Sequence, residues 1–192
     1  MVPRAQYRHL EPLIREIGGV PGDYAELGVW EGHTFVPLAL AAWAAGRVAH
    51  GVDSWAGMAA PTIRDYEPDG DCRFPAGSLA TGPHVAEALA RSLAPIEDAV
   101  RLWIGWVPAV LARVQLAAGL AATHVDLDHY APSLAALRWA WARTNPGGVL
   151  ICHDYEPGAD RLATAACDEF AAEIDDPGRH LPDSGHLWWA KP

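Results

Sequence analysis

The order of apolar runs and chain breakers predicts an α/β fold: a seven-stranded, mostly parallel sheet with helices on both faces and an antiparallel last strand. Three observations carry this. Short apolar runs alternate with helical-period stretches from residue 23 to residue 174, which implies parallel strands joined by right-handed crossovers. The last two runs, Arg179 to Leu181 and Gly185 to Ala190, are joined through a tight Pro182-Asp183-Ser184-Gly185 connection and so form a hairpin that reverses the final strand. The chain has 192 residues, enough for one well-cored domain and too few for two ordinary ones, so residues 1–192 are read as a single domain.

Each element has its own signal. Tyr7, Leu10, Leu13, Ile14 and Ile17 recur at helical spacing before Gly18-Gly19 and Pro21 stop the helix. Asp23 to Gly28 is a short strand entering a glycine turn, followed by the helix TFVPLALAAWAAG, whose Pro37 fits only a first turn. The second strand, Val48 to Asp53, leads into a stretch to about Pro83 rich in Gly, Pro and Asp, which reads as a functional loop or lid. Then follow a helix from His84 to Ala94, a strand from Val100 to Ile104, a helix from Val107 to Ala117 and a strand from Thr123 to Asp128. A helix from Pro132 to Thr144, a strand from Gly148 to His153 and a helix carrying Leu162, Ala166, Phe170 and Ile174 on one face complete the alternation.

Composition narrows the function. Hydrophobic residues make up 51% of the chain, yet no apolar run approaches the ~20 residues of a membrane span, and charges interrupt the N-terminal segment where a signal peptide is apolar. A cytoplasmic protein is expected. The net charge of −10 and the acids Asp65, Glu67, Asp69 and Asp71 repel a phosphate backbone, which excludes nucleic acid as the partner. The three widely spaced cysteines suggest neither disulfides nor a thiolate zinc site, and Cys152 and Cys167 are expected in the core.

In an open parallel sheet, ligands bind beyond the carboxyl ends of the strands. Glu26 and Gly28 end the first strand, Asp53 the second, Asp126 and Asp128 the fourth, and His153 with Asp154 the fifth. In the turn ELGVWEG, Gly28 and Gly32 allow close backbone approach and Glu26 offers an acceptor to an ammonium or hydroxyl group. The spacing differs from the GxGxxG of pyrophosphate sites, and Glu31 opposes an anion, so a cationic ligand fits better than a dinucleotide. Asp53 can accept both hydroxyls of a ribose, or can cap the turn at Ser54 and Gly57. Thr34, Ser54, Trp30 and Trp106 complete the candidate nucleoside-ligand set, with Trp106 expected on the base side and Trp55 a weaker stacking candidate. Trp139 and Trp141 read as packing residues, and His9, His84, His180 and His186 as surface or packing residues.

Asp128 on one strand end and His153-Asp154 on its neighbour could converge on one ion, since adjacent strands lie ~4.8 Å apart. The imidazole shifts such a site from Mg²⁺ toward Mn²⁺, Fe²⁺ or Zn²⁺. The plainer alternative makes His153 a hydrogen-bonded strand end and Asp154 a cap before Pro157-Gly158.

AELGVWEGHT resembles the first turn of catechol and caffeoyl-CoA O-methyltransferases. VAHGVDSWAGM, THVDLDHYAPSLAAL and NPGGVLICHDYEPGADRLATAACDEF are similar to the macrocin O-methyltransferase family over nearly the whole chain. The resemblance implies a Rossmann-like class I methyltransferase fold, S-adenosylmethionine as donor, a divalent metal (Mg²⁺ or Mn²⁺) and O-methylation of a small-molecule hydroxyl on a sugar or phenolic natural product. The family has two adjacent acids where this chain has His153-Asp154, and longer N-terminal and insert segments that close the acceptor pocket and build oligomers; a homodimer is a further expectation. Asp126 is the first candidate for the catalytic base, because the family carries an acid there, and His129 the second. Asp126 could instead be a further metal ligand or accept a hydrogen bond as a supporting residue, and His129 could simply be exposed. Two other functions stand beside this reading: a catalytically inactive partner or regulator, and a nicotinamide-dependent oxidoreductase, which the first turn and the reversed last strand disfavour.

Overall fold

The computed structural model describes residues 10, 11, 14, 17–181 and 184–192. Of the expected opening helix, Tyr7 and Leu13 lie outside the described residues, as do His9, Pro182 and Asp183; Leu10, Ile14 and Ile17 are buried. Among the described residues, seven strands form one sheet: β1 (Asp23–Leu27), β2 (Ala49–Asp53), β3 (Val100–Ile104), β4 (Leu120–Val125), β5 (Thr144–Cys152), β6 (Arg179–Leu181) and β7 (His186–Ala190). Their order is β3-β2-β1-β4-β5-β7-β6. The first five strands pair in parallel, while β7 runs antiparallel to both β5 and β6. The expected class of fold is therefore the one adopted.

Among the described residues, four full α-helices cover the sheet: α1 (Phe35–Ala44), α2 (Pro83–Ser92), α3 (Tyr130–Trp141) and α4 (Leu162–Ile174). On one face, Phe35 and Leu38 of α1 and Leu89 of α2 pack with Leu10, Ile14 and Ile17 over Tyr24, Ala49 and Ile151. On the other, Leu134 and Leu137 of α3 and Cys167 and Phe170 of α4 pack over Leu27, Val125 and Leu150. Strands β1 and β4 are buried along their whole length, as central strands covered on both faces must be. The chain turns outward from β1 to β2 over one face and from β4 to β5 over the other, so a crevice opens where β1 and β4 adjoin.

Two expected elements differ. The expected helix from Val107 to Ala117 is a single 3-10 turn, Ala109–Arg113, after a cis Val107–Pro108 peptide; Val110 and Leu111 fill the core there. Pro108 supplies no backbone N–H, and the one turn that forms buries the two apolar side chains of the segment that reach the core. The expected strand to Asp128 ends at Val125, so Asp126, Leu127 and Asp128 lie on the turn beyond the sheet, with Asp128 at φ 55°.

The long connection from Ser54 to Gly82 is pinned over this end of the sheet. Asp65, one of the acids of the cluster expected to repel phosphate, is buried at 1% exposure. Its carboxylate accepts the N–H and hydroxyl of Thr62 at 2.6 and 2.7 Å, and its other oxygen accepts the N–H of Tyr130, the first residue of α3, at 2.7 Å. That bond satisfies a helix-terminal donor and explains why α3 begins two residues before the expected Pro132. Loss of this cap should be measurable: Asp65→Ala is expected to cost about 1–2 kcal/mol of unfolding free energy and about 2–8 °C in Tm. Hydrogen exchange should speed up at residues 130–133 and in the loop. An unchanged Tm would remove Asp65 as the link between loop and helix.

Candidate active site

Beyond the carboxyl ends of β1, β2, β4 and β5 lies a cavity of about 280 Å³. Of the residues expected at a site, Glu26, Gly28, Trp30, Thr34, Asp53, Ser54, Trp106, Asp126, Asp128, His129, His153 and Asp154 line it. Gly32 and Trp55 are set back. A Cβ on Gly32, at φ 83°, would stand 2.7 Å from Leu89 Cδ1, so this glycine serves the packing of the turn against α2. Trp55 is 2% exposed and spends its indole N–H on the Trp30 carbonyl at 2.8 Å.

The first turn is tied to β2 through Asp53. Its Oδ2 accepts the N–H groups of Val29 and Trp30, each at 2.8 Å, and its Oδ1 accepts that of Trp55 at 2.7 Å. A carboxylate oxygen accepts about two hydrogen bonds, so Oδ2 is filled and Oδ1 retains one place for a ligand hydroxyl. Asp53 thus acts as a cap, the plainer of its two readings, and keeps room for part of the other. Gly28, at φ 96°, lies against the Asp126 carbonyl, where any Cβ would collide. The Ser54 hydroxyl is engaged within its own turn, donating to the Gly57 carbonyl at 3.0 Å and accepting from Ala56 N–H at 3.1 Å. Trp106 anchors its indole N–H on the Gly57 carbonyl at 3.0 Å and leaves its ring half exposed at the cavity.

Glu26 is the most buried charge-bearing group of the wall, at 1% exposure. Oε1 lies 2.8 Å from His124 Nδ1, while Oε2, also buried, has no partner among the described residues. Burial pushes its carboxyl up to about 7, against the opposing pull of the His124 hydrogen bond. His124 Nε2 is in turn 3.4 Å from His186 Nε2, and the His186 ring packs 4.6 Å from that of His153. This buried line of imidazoles was not visible in the sequence. The signal was there in principle, since Glu26 and His124 are register partners across β1 and β4, but register is not readable from a single strand.

At the other end, the side chains of Asp126, His153 and Asp154 each offer a ligand atom, all within 4.8 Å of one another. His153 Nδ1 lies 3.2 Å from an oxygen of Asp126 and 3.2 Å from one of Asp154. Although burial alone would lower it, these hydrogen bonds raise His153 to about 10, so the ring is an imidazolium held between two carboxylates. Burial opposes Asp154's ionisation, but hydrogen bonds from His153 and Asp128 keep its carboxyl low. Asp128 is raised to about 8 by burial and by the charges of Asp154 and Asp126. Among the described residues Asp126, which the sequence offered as a base or a further ligand, converges with His153 and Asp154, while Asp128, expected beside them and turned by its left-handed backbone, flanks the group through Asp154.

His129 is buried, not exposed, at the N-terminus of α3. Its Nε2 donates to the Phe74 carbonyl at 2.8 Å, which leaves only Nδ1 as a proton acceptor. Cys152 and Cys167 are buried as expected. His186 is 1% exposed, within a packing role. Among the described residues no helix is long and apolar enough to cross a membrane.

Known proteins can be set beside this geometry. Residues 25–155 match the family described as "Methyltransferase domain". The chain is 29% identical over 177 residues to an 8-demethyl-8-(2,3-dimethoxy-alpha-L-rhamnosyl)-tetracenomycin-C 4'-O-methyltransferase of Streptomyces olivaceus, covering 88% of this chain and 66% of that protein. It is 29% identical over 153 residues to a mycinamicin III 3''-O-methyltransferase of Micromonospora griseorubida, covering 76% of this chain and 59% of the other. The chain thus spans less than two thirds of the length of either curated relative. In fold it is similar to the O-methyltransferase NovP, with TM-score 0.76, 23% identity and coverage of 96% of this chain and 78% of that one. It is also similar to the calicheamicin methyltransferase CalS11, with TM-score 0.75, 19% identity and coverage of 98% and 80%. With well over half its length matched, the chain belongs to the methyltransferase domain family.

Proposed function

We propose that the chain is an S-adenosylmethionine-dependent O-methyltransferase that modifies a sugar hydroxyl on a natural product and uses a divalent metal. The observation that carries the reading is the form of the cavity: an orphaned, buried carboxylate oxygen at one end, on Glu26, and a convergent imidazole and two carboxylates at the other. The first suits the ammonium of the donor's methionine portion, and the second suits a cation that would hold the acceptor. The curated relatives named above are O-methyltransferases of glycosylated natural products, which supports the sugar. Those named activities also speak against the inactive-partner reading.

Bound donor supplies a sulfonium-activated methyl, and a bound metal would supply Lewis acidity to orient the acceptor hydroxyl and lower its pKa. The protein's part is positioning. Glu26 Oε2 takes the ammonium, the spare Asp53 Oδ1 position takes one ribose hydroxyl, and the Gly28 backbone admits the donor close to the sheet edge. Asp126, His153 and Asp154 would hold the metal, with Nδ1 of His153 as its ligand atom once the proton it shares with the two acids is gone. As the acceptor oxygen's lone pair forms the new C–O bond, the C–S electron pair stays on sulfur and the hydroxyl proton passes to the protein. Asp128 is the base in this reading. Neutralising Asp126 and Asp154 removes two of the charges that hold it protonated near neutral pH. Asp126 is thereby assigned as a ligand, and His129 is left as a wall residue.

Two expectations follow. An ammonium beside Glu26 favours its ionised form, so donor binding displaces a proton: affinity for S-adenosylhomocysteine should rise with pH through about 7 and level off above. Glu26→Gln should weaken binding by about 1.5–3 kcal/mol, one to two decades, and flatten that profile. A pH-independent wild-type affinity in calorimetric titrations would contradict this. For the metal, His153 must lose its proton to ligate, and its value of about 10 means that Mn²⁺ affinity should keep rising above neutral pH, by up to about tenfold per unit. His153→Glu should flatten that rise in the Mn²⁺ resonance spectrum. No Mn²⁺ binding at pH 9 with S-adenosylhomocysteine present would remove the metal from the mechanism.

A further inference from the structure

His124 does not line the donor cavity, yet it holds a residue that does. It is 3% exposed, and its Nδ1 stands 2.8 Å from Oε1 of Glu26, whose Oε2 has no partner among the described residues. Resting on the methyl-transfer reading, we propose that His124 is a positioning residue for the donor: it fixes the Glu26 carboxylate so that Oε2 is the oxygen presented to the donor's ammonium.

The last torsion of a glutamate joins a tetrahedral carbon to a planar one and turns in a broad, shallow well. An untethered carboxylate would sample many orientations there, each offering the ammonium a different angle. A hydrogen bond at Oε1 removes that freedom and leaves Oε2 as the open acceptor. Binding then need not order the acceptor, which is how a preorganised site gains affinity. A purely structural role fits the pair poorly. Burying an ionisable pair commonly costs as much solvation as the pair returns, and apolar side chains of similar size would serve the sheet at least as well. Among the groups facing Glu26, Asp126 and Asp53 oppose its ionisation, and His124 favours it.

The same bond sets where His124 carries its proton. An ionised carboxylate only accepts, so with the ammonium in place Nδ1 must donate, and in a ring with one proton Nε2 is then an acceptor. His186 stands where the matching donor is needed: its Nε2 lies 3.4 Å from Nε2 of His124, and the residue is 1% exposed. It is the first residue of β7, the reversed strand. Three strands therefore build the ammonium's acceptor. Glu26 comes from β1, His124 is its register partner on β4, and His186 backs His124 from β7.

The test is calorimetric titration at about pH 8, above the value of about 7 for Glu26, with S-adenosylhomocysteine and its deamino analogue, which differ only in the amino group. The wild-type protein is expected to prefer S-adenosylhomocysteine by about one to two decades. His124→Gln, whose amide reaches the place of Nε2, and His124→Phe should each cut that preference about 10-fold while binding the analogue within about twofold of wild type. His124→Asn, whose amide nitrogen takes the place of Nδ1, should keep the preference to within about threefold. In wild-type protein with S-adenosylhomocysteine bound, long-range proton–nitrogen NMR should find His124 protonated at Nδ1 and bare at Nε2, a readout that needs no variant to fold. Four results overturn the proposal: a full preference in the Gln and Phe variants, equal weakening of both ligands, an Asn variant no better than Phe, or a proton on Nε2 in place of Nδ1. Equal affinity of the wild-type protein for the two ligands would instead remove Glu26 as the ammonium's partner, and failure of either to bind would bring down the methyl-transfer reading itself.

Discussion

The parallel pairing of β1 with β4 is the constraint on which the site depends. At the carboxyl edge of the sheet a row of backbone bonds crosses four strand junctions: Gly105 N–H to Asp53 O, Gly28 N–H to Val52 O, Asp126 N–H to Leu27 O, and His153 N–H to Val125 O, all at 2.8 to 2.9 Å. Each bond fixes where one chain leaves the sheet and so where its first polar side chain points. A shift of one residue between β1 and β4 would turn Glu26 away from His124 and place Asp126 on the wrong face. Burial on both faces makes such a shift costly, because it would exchange the side chains of one packed layer, Ala25, Leu27 and Val125, with those of the other, such as Tyr24 and Ala122. Gly28 is the local condition for this edge, since the Asp126 carbonyl occupies the place of its missing side chain.

The electrostatics follow from that edge. Asp126, Asp128 and Asp154 are carried to one spot by turns in which two of them adopt left-handed backbone, and His153 brings positive charge directly between Asp126 and Asp154. The cluster balances itself by sharing protons: His153 holds one above its ordinary range and Asp128 holds one as well. In the proposed function such an arrangement would exchange protons for a cation and take a proton from a bound hydroxyl. Glu26, some distance along the same edge, presents the same logic with a single site, a buried carboxyl that an incoming ammonium would ionise.

The alternation of apolar runs made the sheet, its parallel core and the reversed β7 readable before any coordinates, and the rule that ligands sit beyond strand ends brought twelve of the named residues to one cavity wall. What escaped was set by tertiary context. The period of Val107, Val110, Leu111 and Val114 reads as a helix, but a single turn already buries Val110 and Leu111 and the chain continues without helix. Asp65 reads as one more solvated acid, because nothing local tells that it caps a helix 65 residues on. Which of Asp126 and Asp128 converges with His153 turns on where β4 ends, a boundary that pattern alone places only to within a few residues. His124 and His186 lie on strands that pair through register, which left their link to Glu26 and His153 hidden.

The most direct measurement is a crystal structure of the protein with S-adenosylhomocysteine and Mn²⁺, with anomalous data collected at the manganese edge. The account requires the homocysteine amino group within hydrogen-bond distance of Glu26 Oε2 and a single anomalous peak bounded by Asp126, His153 Nδ1 and Asp154. An amino group placed away from Glu26, or a peak held by Asp128 without Asp126, would contradict it.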